Sequence, residues 1–357
     1  MNQNQNLLYV LKELEREKGI SEAALLEAIT GALALACKKQ LGLGAEVDVE
    51  YNPATAQFRV FAEKQVVVRV TDPSMELALE PAREIDPSVE VGQTVRFEVT
   101  PKDFGRIAAQ TAKQVVLQRI REAERDAIYD ELADKEGEIV NGQVQRAEGR
   151  NVYVDVGRIE AILPPNEQPV GERYRAGDRM KFYVLHVRKT SKGPEMVLSR
   201  SHPNLIRRLF ELEAPEVEEG LVELKAIARE AGQRSKVAVY SNDSHVDAVG
   251  ACVGARGSRV QAVTDELGNE KLDIVRWSED PAEFVRESLK PADVKRVIID
   301  EENHAALVLA DDSQLSLAIG RQGQNVRLAA KVTGWRIDIR STTPQPEAEL
   351  EDKGEPT

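Results

Sequence analysis

The chain has 357 residues, 41% of them hydrophobic and 31% charged, a composition typical of a soluble protein with two to four domains. It has neither an apolar stretch of about 18 residues nor a signal-peptide pattern, so we expect a cytoplasmic protein without a membrane partner. The net charge of −13 excludes a uniformly basic nucleic-acid-binding protein, yet residues 313–340 carry five basic residues and one acidic residue.

Residues 1–135 are predicted to form one α/β domain. Its first helix covers about Leu7 to Glu17, and its second begins after an N-cap at Ser21 and ends at Gly42. Alternation of apolar and polar residues predicts the strands. These lie at residues 46–51, 57–62, 64–70 and 94–99.

A long and highly charged helix is predicted over residues 103–135. Its charged face is either solvated or reserved for a partner, and the spacing alone leaves both possibilities open. The basic residues that we assign to this face are Arg106, Lys113, Arg119, Arg121 and Arg125.

Residues 136–202 contain five short predicted strands, joined by turns rich in glycine and proline. This pattern predicts a small barrel of the OB type, in which residues on the sheet face bind nucleic acid by stacking and charge. For Phe182 and Val184 the two-residue period of a strand favours the core. The other candidates for the binding face are Tyr153, Tyr183, His186 and Arg188.

An internal repeat occupies residues 203–344, and its two copies, 203–278 and 279–344, align with a constant offset. The segment VGARGSRVQAVTDELG of the first copy aligns with IGRQGQNVRLAAKVTG of the second, so that Gly254 matches Gly320 and Gly268 matches Gly334. Both copies have the predicted order αββααβ, and a G-x-x-G turn precedes the last helix of each. We call Gly254–Gly257 the first turn and Gly320–Gly323 the second turn.

Two glycines at the same place in both copies indicate a tight turn that a nucleic-acid backbone can approach closely. The helix after each turn presents its N-terminal N–H groups to phosphate, and arginines add positive charge. This arrangement predicts two KH domains that bind single-stranded RNA, with helix-capping glycines in a helical hairpin as the alternative. The residues assigned to RNA are Gly254, Ala255, Arg256, Gly257, Ser258, Arg259, Gly320, Arg321, Gln322, Gly323, Gln324, Asn325, Arg327 and Lys331.

The sequence contains no P-loop, G-x-S-x-G or C-x-x-C motif, and its four histidines are scattered without metal-ligand spacing. We therefore expect a protein that is not an enzyme and that holds no metal or cofactor. An RNA-processing enzyme is a weaker alternative, because it needs a separate catalytic core. A ribosome-associated KH protein is another, although such proteins are usually strongly basic.

Four stretches resemble the NusA family of bacterial transcription elongation and antitermination factors. They are residues 103–125, 226–241, 246–268 and 317–335, and the similarity extends from residue 1 to about residue 340. The resemblance implies a multidomain α+β protein with an N-terminal domain that docks on RNA polymerase, an S1 barrel and two type-II KH domains. It further implies nascent single-stranded RNA and other antitermination factors as partners. It also implies an RNA contact at Arg200, for which a salt bridge at the domain junction is the alternative.

Residues 345–357 carry five acidic residues and one lysine and are predicted to form a short disordered acidic tail. Because this tail follows the most basic segment, we expect it to compete weakly with RNA for the second KH domain. Truncation after Thr343 should tighten RNA binding modestly at low salt and hardly at all at high salt, since salt screens exposed charges. RNA titrations at both salt concentrations test this; unchanged affinity at low salt would leave the tail a solubilising extension.

Overall fold

A computed structural model describes residues 3–53, 55 and 57–342, without the side chains of residues 3–8 and 10. The predicted acidic tail, residues 345–357, lies outside the described residues. The chain divides between Ile128 and Tyr129 into two compact units, the N-terminal unit and the C-terminal unit. Among the described residues, no helix combines the length and apolar character needed to cross a membrane.

The first part of the chain forms α1 (Gln3–Lys18), α2 (Glu22–Leu41), β1 (Glu46–Asn52), β2 (Gln57–Val67), β3 (Glu76–Ala78), α3 (Leu79–Ile85), β4 (Thr94–Glu98) and α4 (Phe104–Ala133). The strands form a four-stranded sheet in which β2 pairs antiparallel with β1 and β4 and parallel with β3. Helices α2 and α4 share a hydrophobic core with β1 and β2.

The caps of α2 confirm the helix predicted between Ser21 and Gly42. The Ser21 hydroxyl accepts a hydrogen bond from the backbone N–H of Ala24, and Gly42 ends the helix with φ 59°. Buried side chains recur every fourth residue from Leu25 to Cys37, so one stripe of the helix faces the core.

Two details of this part differ from the prediction. The strands predicted at 57–62 and 64–70 form the single strand β2, because buried residues recur from Phe58 to Val66 without an intervening turn. The proline-containing stretch before β4 holds β3 and α3, which were not predicted. Pro81 lies in the first turn of α3, where the missing N–H of a proline is tolerated.

Five strands then confirm the predicted barrel. They are β5 (Ile139–Glu148), β6 (Asn151–Asp155), β7 (Glu160–Leu163), β8 (Arg179–Thr190) and β9 (Gly193–Ser199). The barrel closes in the order β5-β6-β7-β9-β8. Phe182 and Val184 are completely buried, which confirms that they belong to the core, and Tyr183 is buried as well. A Cβ at Gly142 would lie 2.3 Å from Val154 Cγ1, so β5 needs a glycine where it passes the core.

The two copies of the repeat each form a three-stranded sheet in which the first pair of strands is antiparallel and the second pair parallel. The first KH domain contains α5 (Pro203–Glu213), α6 (Pro215–Glu218), β10 (Glu223–Glu230), β11 (Arg234–Tyr240), α7 (Ala248–Val253), α8 (Ser258–Glu266) and β12 (Lys271–Arg276). The second contains α9 (Pro281–Ser288), β13 (Arg296–Asp300), β14 (Ala305–Ala310), α10 (Asp312–Ile319), α11 (Gln324–Thr333) and β15 (Arg336–Ser341). Apart from the short helix α6, both copies have the predicted order αββααβ.

The second KH domain packs its helices on the sheet of the first. The apolar cluster between them consists of Phe284, Leu328 and Val332 from the second domain and Ala228, Ala238 and Val275 from the first. Beside it, the completely buried Lys236 ammonium donates to Asp273 at 3.0 Å and to the Lys290 carbonyl at 2.9 Å. Because a buried charge without its partner is costly, this bond favours one arrangement of the two domains.

A second buried pair ties the first KH domain to the end of the barrel. The Glu270 carboxylate is fully buried, and it accepts hydrogen bonds from Arg229 Nη2 at 2.9 Å and from the Ser235 hydroxyl at 2.6 Å. Arg229 also donates to the carbonyl of His202, just after the barrel. The barrel and both KH domains are therefore joined by packed, hydrogen-bonded junctions.

Candidate nucleic-acid interface

The two G-x-x-G turns have the same backbone conformation. The first glycine of each, Gly254 or Gly320, has φ 74° or 75° with ψ 176° or 171°, a region that is essentially restricted to glycine. The second glycine, Gly257 or Gly323, lies in the left-handed region with φ 80° or 71°. The repeat found in the sequence is therefore also a repeat of backbone geometry.

The residue five positions after the first glycine holds each turn together. In the first turn, Arg259 Nη1 donates to the Ala251 carbonyl of α7 at 2.6 Å. At the equivalent position of the second turn, Asn325 Nδ2 donates to the Ala318 carbonyl of α10 at 3.1 Å. Each side chain thus links the helix after the turn to the end of the helix before it.

This link explains why the first position must be glycine. A Cβ at Gly254 would lie 2.7 Å from Arg259 Cγ, and a Cβ at Gly320 would lie 2.7 Å from Asn325 Cβ and 2.8 Å from the backbone nitrogen of the same residue. The second glycine is in a different environment, because no atom lies within 4 Å of a Cβ built on Gly323. The second position therefore leaves the backbone open to a ligand.

Two helices begin directly at these turns. Helix α8 follows Gly257 and α11 follows Gly323, and neither glycine can cap its helix with a side chain. The first N–H groups of each helix therefore receive no hydrogen bond from a capping side chain, and such groups can bind an anion. Exposed residues lie in both turns and at the start of α8; they are Ala255, Arg256, Ser258, Arg321 and Gln322. Lys331 is also exposed, in the last turn of α11.

Several of the residues assigned to RNA at the turns have protein partners, among them Gln324, whose amide donates to Glu230. Asn325 is buried, and its amide group donates to backbone carbonyls of the second KH domain. Arg259 pairs with Glu216 at 2.8 Å in addition to its bond to α7. Arg327 pairs with Glu230 of the first KH domain at 2.6 Å.

The predicted barrel residues fall into two groups. His186 and Arg188 are exposed at alternate positions of β8, and His186 Nδ1 lies 3.4 Å from a Glu136 oxygen. Tyr153 is partly buried, and the Arg146 guanidinium covers its ring at 4.2 Å. A base can therefore reach this ring only where Arg146 leaves it uncovered.

Arg200 does not lie on the surface. Its side chain is 1% exposed, and it donates to Glu172 at 3.0 Å, to Glu266 at 3.2 Å and to the Lys181 carbonyl at 2.8 Å. Glu266 is the last residue of α8, so the guanidinium joins the barrel to the helix that follows the first turn. This geometry matches the alternative interpretation, a salt bridge at the domain junction, and leaves no room for direct contact with RNA.

The basic residues predicted on the long helix are all exposed on α4, in the N-terminal unit. Arg119 pairs with Glu122 of the same helix at 3.1 Å. Leu117 is 42% exposed in the same stretch of helix. An exposed apolar side chain among charges is a feature that a protein partner can use.

Both cysteines lie in the interior of the protein. Cys37 and Cys252 are buried free thiols, and burial raises the pKa of Cys252 to about 12. Within the described part of the chain, no three histidine, cysteine, aspartate or glutamate side chains are grouped as metal ligands.

Comparison with known protein families matches the chain in four successive segments. The NusA N-terminal domain matches residues 6–126, and the S1 RNA binding domain matches residues 133–200. The NusA-like first KH domain matches residues 200–277, and the NusA-like second KH domain matches residues 281–347.

Three relatives share the name transcription termination/antitermination protein NusA. The Bacillus subtilis protein is 53% identical over 355 residues, which cover 98% of this chain and 96% of the relative. The Halalkalibacterium halodurans protein is 53% identical over 338 residues, or 95% and 88% of the two chains. The Thermus thermophilus protein is 44% identical over 363 residues, or 99% and 92%. The chain belongs to the NusA family.

Three supporting roles in this NusA-family chain were not predicted from the sequence, although Arg259 and Asn325 were assigned to RNA. Arg259 and Asn325 support the turns from within, Glu230 supports the second turn from the neighbouring domain, and Glu266 binds Arg200. The constant offset of the repeat places Arg259 opposite Asn325 and could have identified that pair. No local pattern signals Glu230 or Glu266, because their partners are distant in the sequence.

The two glycines of the second turn should differ in how they tolerate alanine. Gly320→Ala should cost about 3 kcal/mol of stability, because it combines a backbone conformation unfavourable to alanine with a clash against Asn325. Gly323→Ala should cost only about 1 kcal/mol, since its Cβ enters open space. Thermal unfolding followed by tryptophan fluorescence tests this, because Trp335 packs in the second KH domain. Equal losses of stability would contradict the steric explanation.

Proposed function

We propose that the chain binds nascent single-stranded RNA through its two G-x-x-G turns while its N-terminal domain docks on RNA polymerase, and that it thereby modulates pausing, termination and antitermination. The observation that carries the proposal is the matching geometry of the two turns, each with an open backbone and an uncapped helix N-terminus. KH domains use such turns to hold about four nucleotides by their backbone. The names of the relatives support the role in transcription.

The proposed RNA contacts are Arg256 and Arg321 with the helix ends beside them, Lys331, and His186 and Arg188 on the barrel. Arg256 and Arg321 are exposed and have no acidic partner among the described residues. Their guanidinium groups can therefore neutralise phosphate without first breaking an ion pair. In this proposal the chain acts by binding, without a catalytic step.

The division of labour follows the predicted domain boundaries. Residues 1–135 would bind polymerase, residues 136–202 would form the S1 domain, and residues 203–278 and 279–344 would form the two KH domains. The exposed charges of α4 would set the orientation on polymerase by electrostatic complementarity. Docking would raise the local concentration of RNA at the KH domains, because the second contact is then intramolecular.

Aspartate in both turns should abolish most RNA binding while the fold is kept. The variant combines Ala255→Asp and Arg256→Asp with Arg321→Asp and Gln322→Asp, all at exposed positions. Like charge would then face phosphate, and the slope of log K against log salt should flatten by roughly 0.7 for each lost phosphate contact. Fluorescence titration of labelled single-stranded RNA at several salt concentrations measures both effects.

A control makes the charge change of one turn at another place in the chain. Lys39→Asp with Gln40→Asp repeats the change made in the second turn, at exposed neighbours near the end of α2. This control should bind RNA like the parent chain. The assignment of the turns to RNA fails if the quadruple variant binds as tightly as the parent at moderate salt.

Separating the domains should separate the two activities. Residues 136–344 should bind RNA nearly as well as the full chain and lose the effect on pausing, because they lack the proposed polymerase contact. Residues 1–135 should bind polymerase and retain part of the pausing effect. In vitro transcription with purified polymerase on a template with a hairpin pause measures this. If residues 136–344 alone prolong the pause as much as the full chain, RNA binding carries the function and the docking model is wrong.

A further inference from the structure

Glu230 lies at the end of β10 in the first KH domain and holds the second turn from outside. Its carboxylate accepts hydrogen bonds from Arg327 Nε at 2.6 Å and from Arg327 Nη2 at 3.2 Å. It also accepts one from Gln324 Nε2 at 2.9 Å, and Gln324 is the first residue of α11. One side chain of the first KH domain thus binds two residues that closely follow the second turn.

Arg327 extends this contact into the turn itself. Its Nη1 donates to the carbonyl of Gln322 at 3.2 Å, and Gln322 is the turn residue with φ 53°. Residues other than glycine are uncommon in that conformation, which Arg256 of the first turn shares with φ 54°. In the second turn, the chain of bonds from Glu230 through Arg327 to Gln322 adds a hold on this backbone from the neighbouring domain.

The carboxylate of Glu230 is well placed for this role. Its side chain is only 15% exposed, whereas Arg327 is 47% exposed. The hydrogen bond from Arg327 holds the pKa of Glu230 below its usual range, so the ion pair persists at neutral pH. The pair is thus shielded on the glutamate side and anchored in the first KH domain.

The first turn is built differently at the matching position. The offset of the repeat places Gln261 where Arg327 stands in the second turn. Gln261 Nε2 donates to Asp265 at 2.7 Å, within its own helix α8. The bond from a neighbouring domain is therefore a feature that distinguishes the second turn from the first.

We propose that Glu230 is a positioning residue for RNA binding: it holds the second turn in its binding conformation and in fixed register with the first, and Arg327 is its partner and not a phosphate ligand. This inference rests on the proposed function of the turns. Positioning and simple electrostatics predict opposite effects on RNA binding when the charge of Glu230 is removed. Loss of a negative charge beside a phosphate site should strengthen binding, whereas loss of a positioning residue should weaken it.

The two domains should stay together when Glu230 is removed. The apolar cluster of Phe284, Leu328 and Val332 on the first KH sheet, and the buried Lys236, do not depend on Glu230. An unfolding temperature close to that of the parent would show that the fold is kept. A change in RNA affinity then reports on the turn.

The test uses the full chain and a labelled single-stranded RNA of about twelve nucleotides, enough for both turns at about four nucleotides each. Glu230→Ala should weaken binding by about 3- to 10-fold, the range expected for one charge-assisted contact. Glu301→Ala is the matched control, because it removes the same charge from an exposed loop residue that forms no ion pair within the described part of the chain. The control should bind as tightly as the parent or slightly more tightly.

Two further variants separate positioning from a general loss of structure. With the first turn disabled by Ala255→Asp and Arg256→Asp, Glu230→Ala should still weaken binding. With the second turn disabled by Arg321→Asp and Gln322→Asp, it should have no further effect, because the element it positions no longer binds. An equal effect in both backgrounds would contradict the proposal.

A double-mutant cycle then tests the role of Arg327. Arg327→Ala should weaken binding about as much as Glu230→Ala, and the double variant Glu230→Ala with Arg327→Ala should bind no more weakly than either single variant, because the two residues act as one unit. If the two losses add in the double variant, Arg327 contacts phosphate independently of Glu230 and the inference is wrong. It is also wrong if Glu230→Ala binds as tightly as the parent. If disabling both turns changes nothing, the proposed function itself fails, and the two failures are therefore distinguishable.

Discussion

The side chain five residues after the first glycine occupies the space in which a Cβ of that glycine would lie, and the rest of each turn depends on this contact. Arg259 and Asn325 differ in size and charge, yet both reach back to a carbonyl at the end of the preceding helix. The bond links the two helices across the turn. The second glycine and the uncapped start of the next helix lie within the segment that this link closes.

Buried charges in the C-terminal unit also determine how its barrel and KH domains are arranged. Arg200, Lys236 and Glu270 are each almost inaccessible to solvent, and each bonds a partner from another element. Desolvating a charge is expensive, so such pairs add less to stability than their number suggests. Their effect is on arrangement, since any other packing of barrel and KH domains would leave a buried charge unpaired. The positions of the two turns relative to each other follow from this requirement.

The sequence predicted those parts of the fold that depend on neighbouring residues. The caps of α2, the five barrel strands and the repeated αββααβ order are local patterns, and the structure confirms them. The strand boundary inside β2 was misplaced because Glu63 and Lys64 interrupt the alternation in the sequence without ending the pairing of β2 with its neighbours.

Within the site, the turns could be predicted and their supports could not. A G-x-x-G motif is visible in consecutive letters of the sequence, whereas Glu230 and Arg327 are 97 residues apart. Arg200 is a second residue whose role is decided by partners that are distant in the sequence. It was assigned to RNA by resemblance, but its charge is satisfied by Glu172 and Glu266, which only the packing of the barrel on α8 brings together.

The acidic composition of the chain is compatible with RNA binding because many of the acidic residues in the C-terminal unit are committed to specific cations. Glu172, Glu230, Glu266 and Glu270 all accept hydrogen bonds from arginine, so their charges are locally neutralised. Arg256 and Arg321 at the tips of the turns have no such partner among the described residues. A phosphate that approaches the turns therefore meets positive charge at close range, while the net charge of −13 acts mainly through screened, longer distances. Net charge thus opposes nonspecific adsorption of RNA, and the local arrangement of arginine and helix N-termini favours binding at two defined places.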